Sequence, residues 1–440
     1  MQTNPNVAAL DSWTGESLRF TSLAEWLAWQ EGLHFTAIEL GLDRCLSVAG
    51  RMNLLAPCYA VISVAGTNGK GSSTIMLDAI LRHAGYRTGC YTSPHLTHYN
   101  ERISVDGVEV SDRALCEAFD RIDRARGDIS LTYFEFGTLA ALDIFWRAGV
   151  DIAVLEVGLG GRLDAVNCVD ADAALITSID LDHENWLGPD RESIGREKAG
   201  IMRAKSPAVC SDPEPPQSII DYAAGLGTTL YLQGKDYQYE ITGDYWSWRC
   251  TTAAYTNLPR PSLYNARQVE NAAGVLMTLT TLADRFPVTA EAIRQGLQGF
   301  HAGGRFQLVP DRAQVVLDVA HNPGAIRLLV HNLQGLPVAG STHVLIGILK
   351  DKNHVAIFRE IAAVADFWHV VSLEGPRGTD CETLAAELAA LGITGNVFAY
   401  DTVAAALNRV RDIVKPQDRI VVTGSFLTVG AAIHHLKLQH

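Results

Sequence analysis

From Tyr59 onward the chain alternates short apolar runs with segments of helical period. Tyr59–Val64 (YAVISV) is a continuous β-branched run of strand length. A glycine-rich turn follows, and Ser73–Ala84 then repeats apolar residues at the spacing of one helix face. Further runs occur at Ile152–Glu156, Ala173–Ile179 and Ala208–Cys210. Continuous rather than alternating apolar runs belong to strands covered on both faces, which predicts a mostly parallel sheet flanked by helices. Tyr237–Cys250 (YQYEITGDYWSWRC) breaks the rhythm with polar and aromatic alternation around Gly243-Asp244, predicting an antiparallel hairpin. A helical stretch, Ala266–Asp284, closes this half, and the glycines of Gly299–Arg305 read as a linker. The alternation then restarts with strand-like Val315–Val319, His343–Ile348, Phe367–Ser372, Val397–Tyr400 and Arg419–Thr423, each followed by a helical segment. That pattern predicts a second, smaller doubly wound domain.

Length agrees, since 440 residues exceed the size at which one hydrophobic core stops growing. With 48% apolar and 19% charged residues and a mean hydropathy of +0.07, the composition is that of a globular protein. The net charge of −13, without any cluster of Lys and Arg, argues against nucleic acid and anionic membranes as partners. A small anionic substrate stays compatible, provided a few basic residues are focused in a cleft. The chain has no apolar run of about 18 residues and no signal-peptide layout at its start, so a cytoplasmic protein is expected. Its eight cysteines show no CxxC pair or ligand-like spacing and read as buried free thiols.

The sharpest chemical signal is VAGTNGKGSS (Val64–Ser73), placed where a buried strand runs into a helix. Backbone amides of such a turn cradle phosphate, and Lys70 adds a mobile positive charge. The spacing departs from G-x-x-x-x-G-K-[ST]: Val64 stands at the first glycine, and Gly71 separates Lys70 from Ser72. A purely structural glycine turn is the competing reading. Glu156 ends a buried strand run, where open α/β sheets place their ligand crevice, so its carboxylate is well sited for a metal; the alternative is a surface charge beyond the strand. His183 follows Asp180 and Asp182, and imidazole is an uncommon magnesium ligand, so a structural histidine is the plainer reading. Arg102, Arg305, Lys350 and Lys352 have the right chemistry for phosphate, though surface lysines need no such role.

The string GTNGKGS resembles the dihydrofolate synthase and folylpolyglutamate synthase family of the Mur ligase superfamily. The likeness continues through TSPHL (Thr92–Leu96), NERI (Asn100–Ile103), TYFEF (Thr132–Phe136), LEVGLGGRLDAVN (Leu155–Asn167), DLDHENWLG (Asp180–Gly188), REKAGI (Arg196–Ile201), GGRF (Gly303–Phe306), DVAHNPGA (Asp318–Ala325) and TGSFLTVG (Thr423–Gly430). It therefore spans both halves.

The resemblance implies a P-loop-type, mostly parallel ATP-binding domain over residues 1–298, a linker at 299–306, and a Rossmann-like glutamate-ligase domain over 307–440. It implies ATP contacts at Thr67, Asn68, Gly69, Lys70, Gly71, Ser72, Asn271, Arg305 and Asp318. Ser93, Glu156 and His183 are carried over as magnesium ligands, with Lys198, as a carbamate, on a second Mg2+. Lys70, His183 and Lys198 are the implied catalytic groups. Glu39, Leu40, Gly41 and Leu42 (ELGL) match the segment that holds dihydropteroate, with Glu39 where an Asp is more usual. Thr132, Phe134 and Leu163 match other pterin-side positions, and His321 the glutamate side. The implied activity is ATP-dependent ligation of glutamate to dihydropteroate and to reduced folates through an acyl phosphate, by a monomer whose partners are small molecules. A ligase acting on a nucleotide-linked muropeptide precursor and a non-catalytic ATP-binding scaffold are the rival readings.

Overall fold

The computed structural model describes residues 18–36, 38–261, 266–299 and 303–438. The first sheet contains β1 (Ala60–Ala65), β2 (Thr88–Tyr91), β3 (Ile103–Val105), β4 (Val108–Glu109), β5 (Ile152–Glu156), β6 (Ala173–Ile176), β7 (Ala208–Cys210) and β8 (Leu230–Leu232). Their spatial order is β4-β3-β2-β5-β1-β6-β7-β8. All neighbours from β2 to β8 run parallel, and β3 and β4 turn antiparallel at one edge. Every residue of β1, β5 and β6 is buried, because each strand feeds two cores. Val61 and Ala65 of β1 join the core under the amino-terminal helices, whereas Ala60, Ile62 and Val64 join the one on the opposite face.

β9 (Tyr237–Thr242), β10 (Tyr245–Cys250) and β11 (Ala254–Pro259) form a separate antiparallel sheet. Gly243 turns the expected hairpin at φ +60°. Trp246, Trp248 and Tyr237 pack from it into the core shared with the helix Ala266–Thr281. β11 escapes sequence reading because AYTNLP is polar and ends in proline, as an edge strand does.

The second large sheet comprises β12 (Gln307–Val309), β13 (Gln314–Leu317), β14 (Thr342–Ile346), β15 (Phe367–Val371), β16 (Val397–Tyr400) and β17 (Arg419–Thr423), ordered β12-β13-β17-β14-β15-β16. It is parallel except for β12. Residues 300–302 of the expected linker lie outside the described residues. Leu96, from the loop after β2, packs into a core of this second sheet, so the first half of the chain contacts the second through this loop.

Two boundaries differ from the periodicity in ways that matter for the site. The helix after β1 begins at Lys70 rather than Ser73, since its first turn is glycine and serine rather than apolar. β6 stops at Ile176 because the next residues leave the ladder for the glycine-rich turn: Thr177 Oγ1 and Ser178 Oγ both donate to Asn68 O, at 2.8 and 3.1 Å.

Candidate active site

β1 delivers the chain into Gly66–Gly69 and then into the helix Lys70–His83. Gly69 sits at φ +95°, and a Cβ there would stand 2.5 Å from Asn271 Oδ1, so glycine alone fits. The turn is stitched to the segment after β6: Thr67 N donates to Ser178 O (2.7 Å) and Thr67 Oγ1 to Asp180 O (3.0 Å). Lys70 Nζ donates to Gly66 O (3.0 Å) and Thr67 O (3.2 Å). Buried Lys198, from the helix Arg191–Ala199, donates to the same Gly66 oxygen at 2.8 Å. Desolvation lowers the pKa of both lysines; Lys198 falls to about 7, with the neighbouring Lys70 charge as the second cause.

Glu156 ends β5 and is 2% exposed; its Oε2 accepts from Ser93 N–H at 2.9 Å. Burial raises its pKa, against the pull of Lys70. Above the first turn of the phosphate-loop helix, the position a Gly71 Cβ would take lies 3.4 Å from Glu156 Oε2 and 3.1 Å from Arg305 Nη2. A carboxylate from the first sheet and a guanidinium from the segment leading into the second thus converge on one glycine.

Asp182 gathers a second cluster across the same divide. Its Oδ1 accepts from Lys352 Nζ at 2.6 Å and its Oδ2 from Asn322 Nδ2 at 3.1 Å, with His321 Nε2 at 3.6 Å. Burial opposes its ionisation, but His321 and Lys352 prevail and hold it well below the usual carboxylate range. Asn322 Nδ2 also lies 3.1 Å from Asn68 Oδ1, linking the second sheet to the phosphate loop. Helix Pro323–Gln334 comes so close that a Cβ at Gly324 would stand 1.8 Å from Asp180 Oδ2. His183, at φ +53°, places Nε2 3.3 Å from Lys352 Nζ. Burial pushes its pKa down to about 4, with Asp182 opposing, so the ring is neutral and its lone pair can act as a ligand.

Beside these clusters opens a cleft of about 390 Å³ lined by Asn68, Gly69, Ser72, Asn271, Arg305 and Asp318, among others. Six of the nine residues expected around ATP thus line one cleft, from four separate chain segments, while Thr67, Lys70 and Gly71 are not in its lining. Asp318, just past β13, accepts from Phe306 N and Ala320 N, both at 2.8 Å, and burial raises its pKa to about 6. Ser93, Glu156 and His183 offer a hydroxyl, a carboxylate and a neutral imidazole. The buried Glu156 carboxylate, disfavoured by its own desolvation, fits a divalent cation with a preference for oxygen. Of the other expected phosphate groups, Lys350 turns outward to Pro376 O (3.4 Å). Arg102 donates to His95 Nδ1 (2.8 Å) and lies over the Tyr99 and Tyr133 rings.

The expected pterin-side residues also assemble. Gly41 N donates to Leu163 O (3.2 Å), tying ELGL to the glycine-rich loop after β5. Glu39 accepts from His34 Nε2 (2.8 Å) and from Arg44, which bridges on to Glu135 at 3.1 Å. Leu40 and Leu42 are half-buried beside it. Thr132 caps the helix Tyr133–Ala148 through a capping box with Glu135. The Phe134 ring lies against Gly158 and 6.0 Å from that of Tyr91.

Asn322 and Gln268 escaped sequence reading. Asn322 was legible only as a helix cap before Pro323. Gln268 sits three residues before Asn271 on one helix, a spacing that shares a face, yet only the fold shows what that face meets.

Comparison with known proteins agrees with this geometry. Residues 64–235 match the Mur ligase middle domain and residues 304–426 the Mur ligase glutamate ligase domain. The chain is 45% identical to the dihydrofolate synthase/folylpolyglutamate synthase of Escherichia coli K12, over 93% of this chain and 94% of that protein. With the protein of the same name from Haemophilus influenzae it shares 39% identity, over 94% and 97%. Among solved structures it resembles E. coli FolC in complex with DHPP and ADP, at TM-score 0.90 and 43% identity over 96% of this chain and 99% of that one. A bifunctional folylpolyglutamate synthase/dihydrofolate synthase with Mn, AMPPNP and L-glutamate bound matches at TM-score 0.88 and 43% identity, over 96% and 100%.

Proposed function

This chain belongs to the dihydrofolate synthase/folylpolyglutamate synthase family, and from that premise we propose how its site joins glutamate to a pterin-bearing carboxylate. It is an ATP-dependent acid–amino-acid ligase that adds glutamate to folates. The observation that carries the reading is the convergence on Gly71 of Glu156, from the first sheet, and Arg305, from the segment leading into the second, beside Lys70.

A carboxylate oxygen of dihydropteroate or of a reduced folate attacks the γ-phosphorus of ATP, giving an acyl phosphate and ADP. The glutamate amine then attacks the acyl carbon; phosphate leaves and the amine gives up a proton. Lys70 and Arg305 neutralise charge on the transferring group, so catalysis is mainly positioning and electrostatic stabilisation. ATP and a divalent metal serve the reaction, as the relatives' complexes with AMPPNP and Mn support. The metal is Mg2+, two ions by this reading. Ser93, Glu156 and His183 hold one, and it supplies further neutralisation of the phosphoryl oxygens. Lys198 carries a carbamate that holds the other: its pKa of about 7 leaves much of the amine neutral at physiological pH, the form that adds to CO2 with loss of a proton. ELGL, with Thr132, Phe134 and Leu163, receives the pterin, and His321 faces glutamate. Residues 1–298 act as the ATP-binding unit and 307–440 as the glutamate unit of a cytoplasmic monomer. Among the described residues no helix is long and apolar enough to cross a membrane.

The test is ADP release with glutamate and, in turn, dihydropteroate, tetrahydrofolate and a nucleotide-linked muropeptide precursor. Release should require glutamate and a pterin acceptor. Release with the muropeptide alone would overturn the assignment.

A further inference from the structure

The seam between the two halves of the chain holds one contact with no space left in it. Gly324 lies in the first turn of the helix Pro323–Gln334 and is not one of the glycines held at positive φ. Alanine would serve the helix better, because glycine gives up more chain entropy on folding. The reason for glycine therefore lies outside the helix. A Cβ at 324 would stand 1.8 Å from Asp180 Oδ2 and 2.8 Å from Asp180 Cγ, closer than non-bonded atoms come.

Asp180 has little freedom to give way. Its backbone N–H donates to Thr67 Oγ1 and its carbonyl accepts from the same hydroxyl, both at 3.0 Å, which ties residue 180 to the phosphate loop. Its Oδ1 accepts from Leu181 N–H at 2.8 Å, so turning the carboxylate aside gives up that bond. Where it stands, the carboxylate meets the first turn of a 12-residue helix, whose partial positive charge favours an anion.

We propose that Asp180 is a positioning residue, matched in size to Gly324, and that the pair sets how closely the second half of the chain seats on the phosphate loop. What adjoins Gly324 gives the contact its consequence. Asn322 Nδ2 reaches Asp182 Oδ2 and Asn68 Oδ1, both at 3.1 Å, and His321 Nε2 stands 3.6 Å from Asp182. Raising the helix off Asp180 draws both residues away from the first half together. The inference rests on the ligase reading above for what those contacts serve, and on geometry alone for the pairing of 180 with 324.

A double-substitution cycle tests it. Wild type, Asp180→Ala, Gly324→Ala and the double variant would be compared in kcat, in KM for each substrate, in thermal midpoint and in radius of gyration by small-angle scattering. Gly324→Ala should lower kcat/KM for glutamate about tenfold, the scale of overpacking one tight contact, and raise the radius of gyration. In the Asp180→Ala background the same substitution should cost less than about twofold and leave the radius unchanged, because the methyl group takes the space of the carboxylate. Asp180→Asn with Gly324→Ala keeps the size of the side chain without its charge, and should stay as impaired as Gly324→Ala alone. KM for the pterin acceptor should not move, since ELGL, Thr132, Phe134 and Leu163 all belong to the first half. A Gly324→Ala chain that folds only in the Asp180→Ala background supports the pairing equally; failure to fold in both backgrounds overturns it. Equal losses in both backgrounds, or no loss in either, overturn the inference and leave the ligase assignment intact. A wild type that releases ADP without needing glutamate overturns that assignment, and the scattering comparison still tests the pairing.

Discussion

The proposed nucleotide side and the proposed pterin side of this site handle charge in opposite ways. Around the phosphate loop, Lys70 and Lys198 both donate to the single Gly66 oxygen, and Glu156 is held in a setting that penalises its charge. Glu156 and Lys198 sit out of water with only partial compensation, and Lys70 is half-buried beside them. On the pterin side, His34, Glu39, Arg44 and Glu135 form a closed chain in which each charge has a partner, and the His34 hydrogen bond lowers the pKa of Glu39. The first arrangement is prepared for a polyanion and its metal, which would relieve it. The second has its charges already paired with one another, so we propose that its selectivity lies in shape and in the aromatic surface of Phe134. Preorganised electrostatics and preorganised shape thus stand side by side in one protein.

The largest effect should come from removing a charge on the uncompensated side. Lys70→Ala should lower kcat by roughly 10²–10³, the range for losing one preorganised donor to a developing charge, with the thermal midpoint nearly unchanged. Near-normal turnover would break the comparison. On the compensated side the expected loss is smaller and selective. Glu39→Ala should cost about tenfold in kcat/KM with dihydropteroate and less with tetrahydrofolate, since it frees Arg44 and His34 from a partner they share. Equal losses with both acceptors would reduce Glu39 to a structural role.

A pH experiment sharpens the contrast further. The Lys198 amine titrates near 7 in the fold against an ordinary 10.5, so between those values the unfolded chain binds a proton that the native state does not. Stability from this group therefore rises with pH across that window. Denaturation midpoints of the bicarbonate-free wild type should climb from pH 7 to 9 relative to Lys198→Met, and saturating bicarbonate should flatten the difference. An equal slope in both proteins would remove Lys198 as the cause.

The smallest effect lies outside both regions. His369, wholly buried beside His343 and Tyr400 in the second sheet, has its pKa pushed down to about 4 by burial and then by His343. As pH falls from 6.5 towards 4 the unfolded chain gains a proton that the fold refuses, and stability falls. His369→Phe should lose that part of the acid sensitivity, a shift of about 2–4 °C in thermal midpoint near pH 5. An identical acid profile would show that other groups dominate.

Much of this molecule was legible along the chain. Buried parallel strands need continuous apolar runs, so β5, β7 and β17 begin and end where those runs do. The phosphate loop was legible as a glycine-rich turn with a lysine between a strand and a helix, and roles for Ser93, Glu156, Asn271 and Arg305 were offered by the family resemblance. Local chemistry determined the strands and the turn because backbone preference and burial act on neighbouring residues. What only tertiary structure decided is which distant side chains share a bond. Nothing near residue 182 announces that Lys352 and Asn322 will reach its carboxylate, or that Gln268 will join Ser72 to Asn271. Those contacts bridge long stretches of sequence, and their donors and acceptors are ordinary polar residues. Their pairing is set by how two sheets and a helix come to rest against each other, since a buried polar group takes the partner that packing brings within reach.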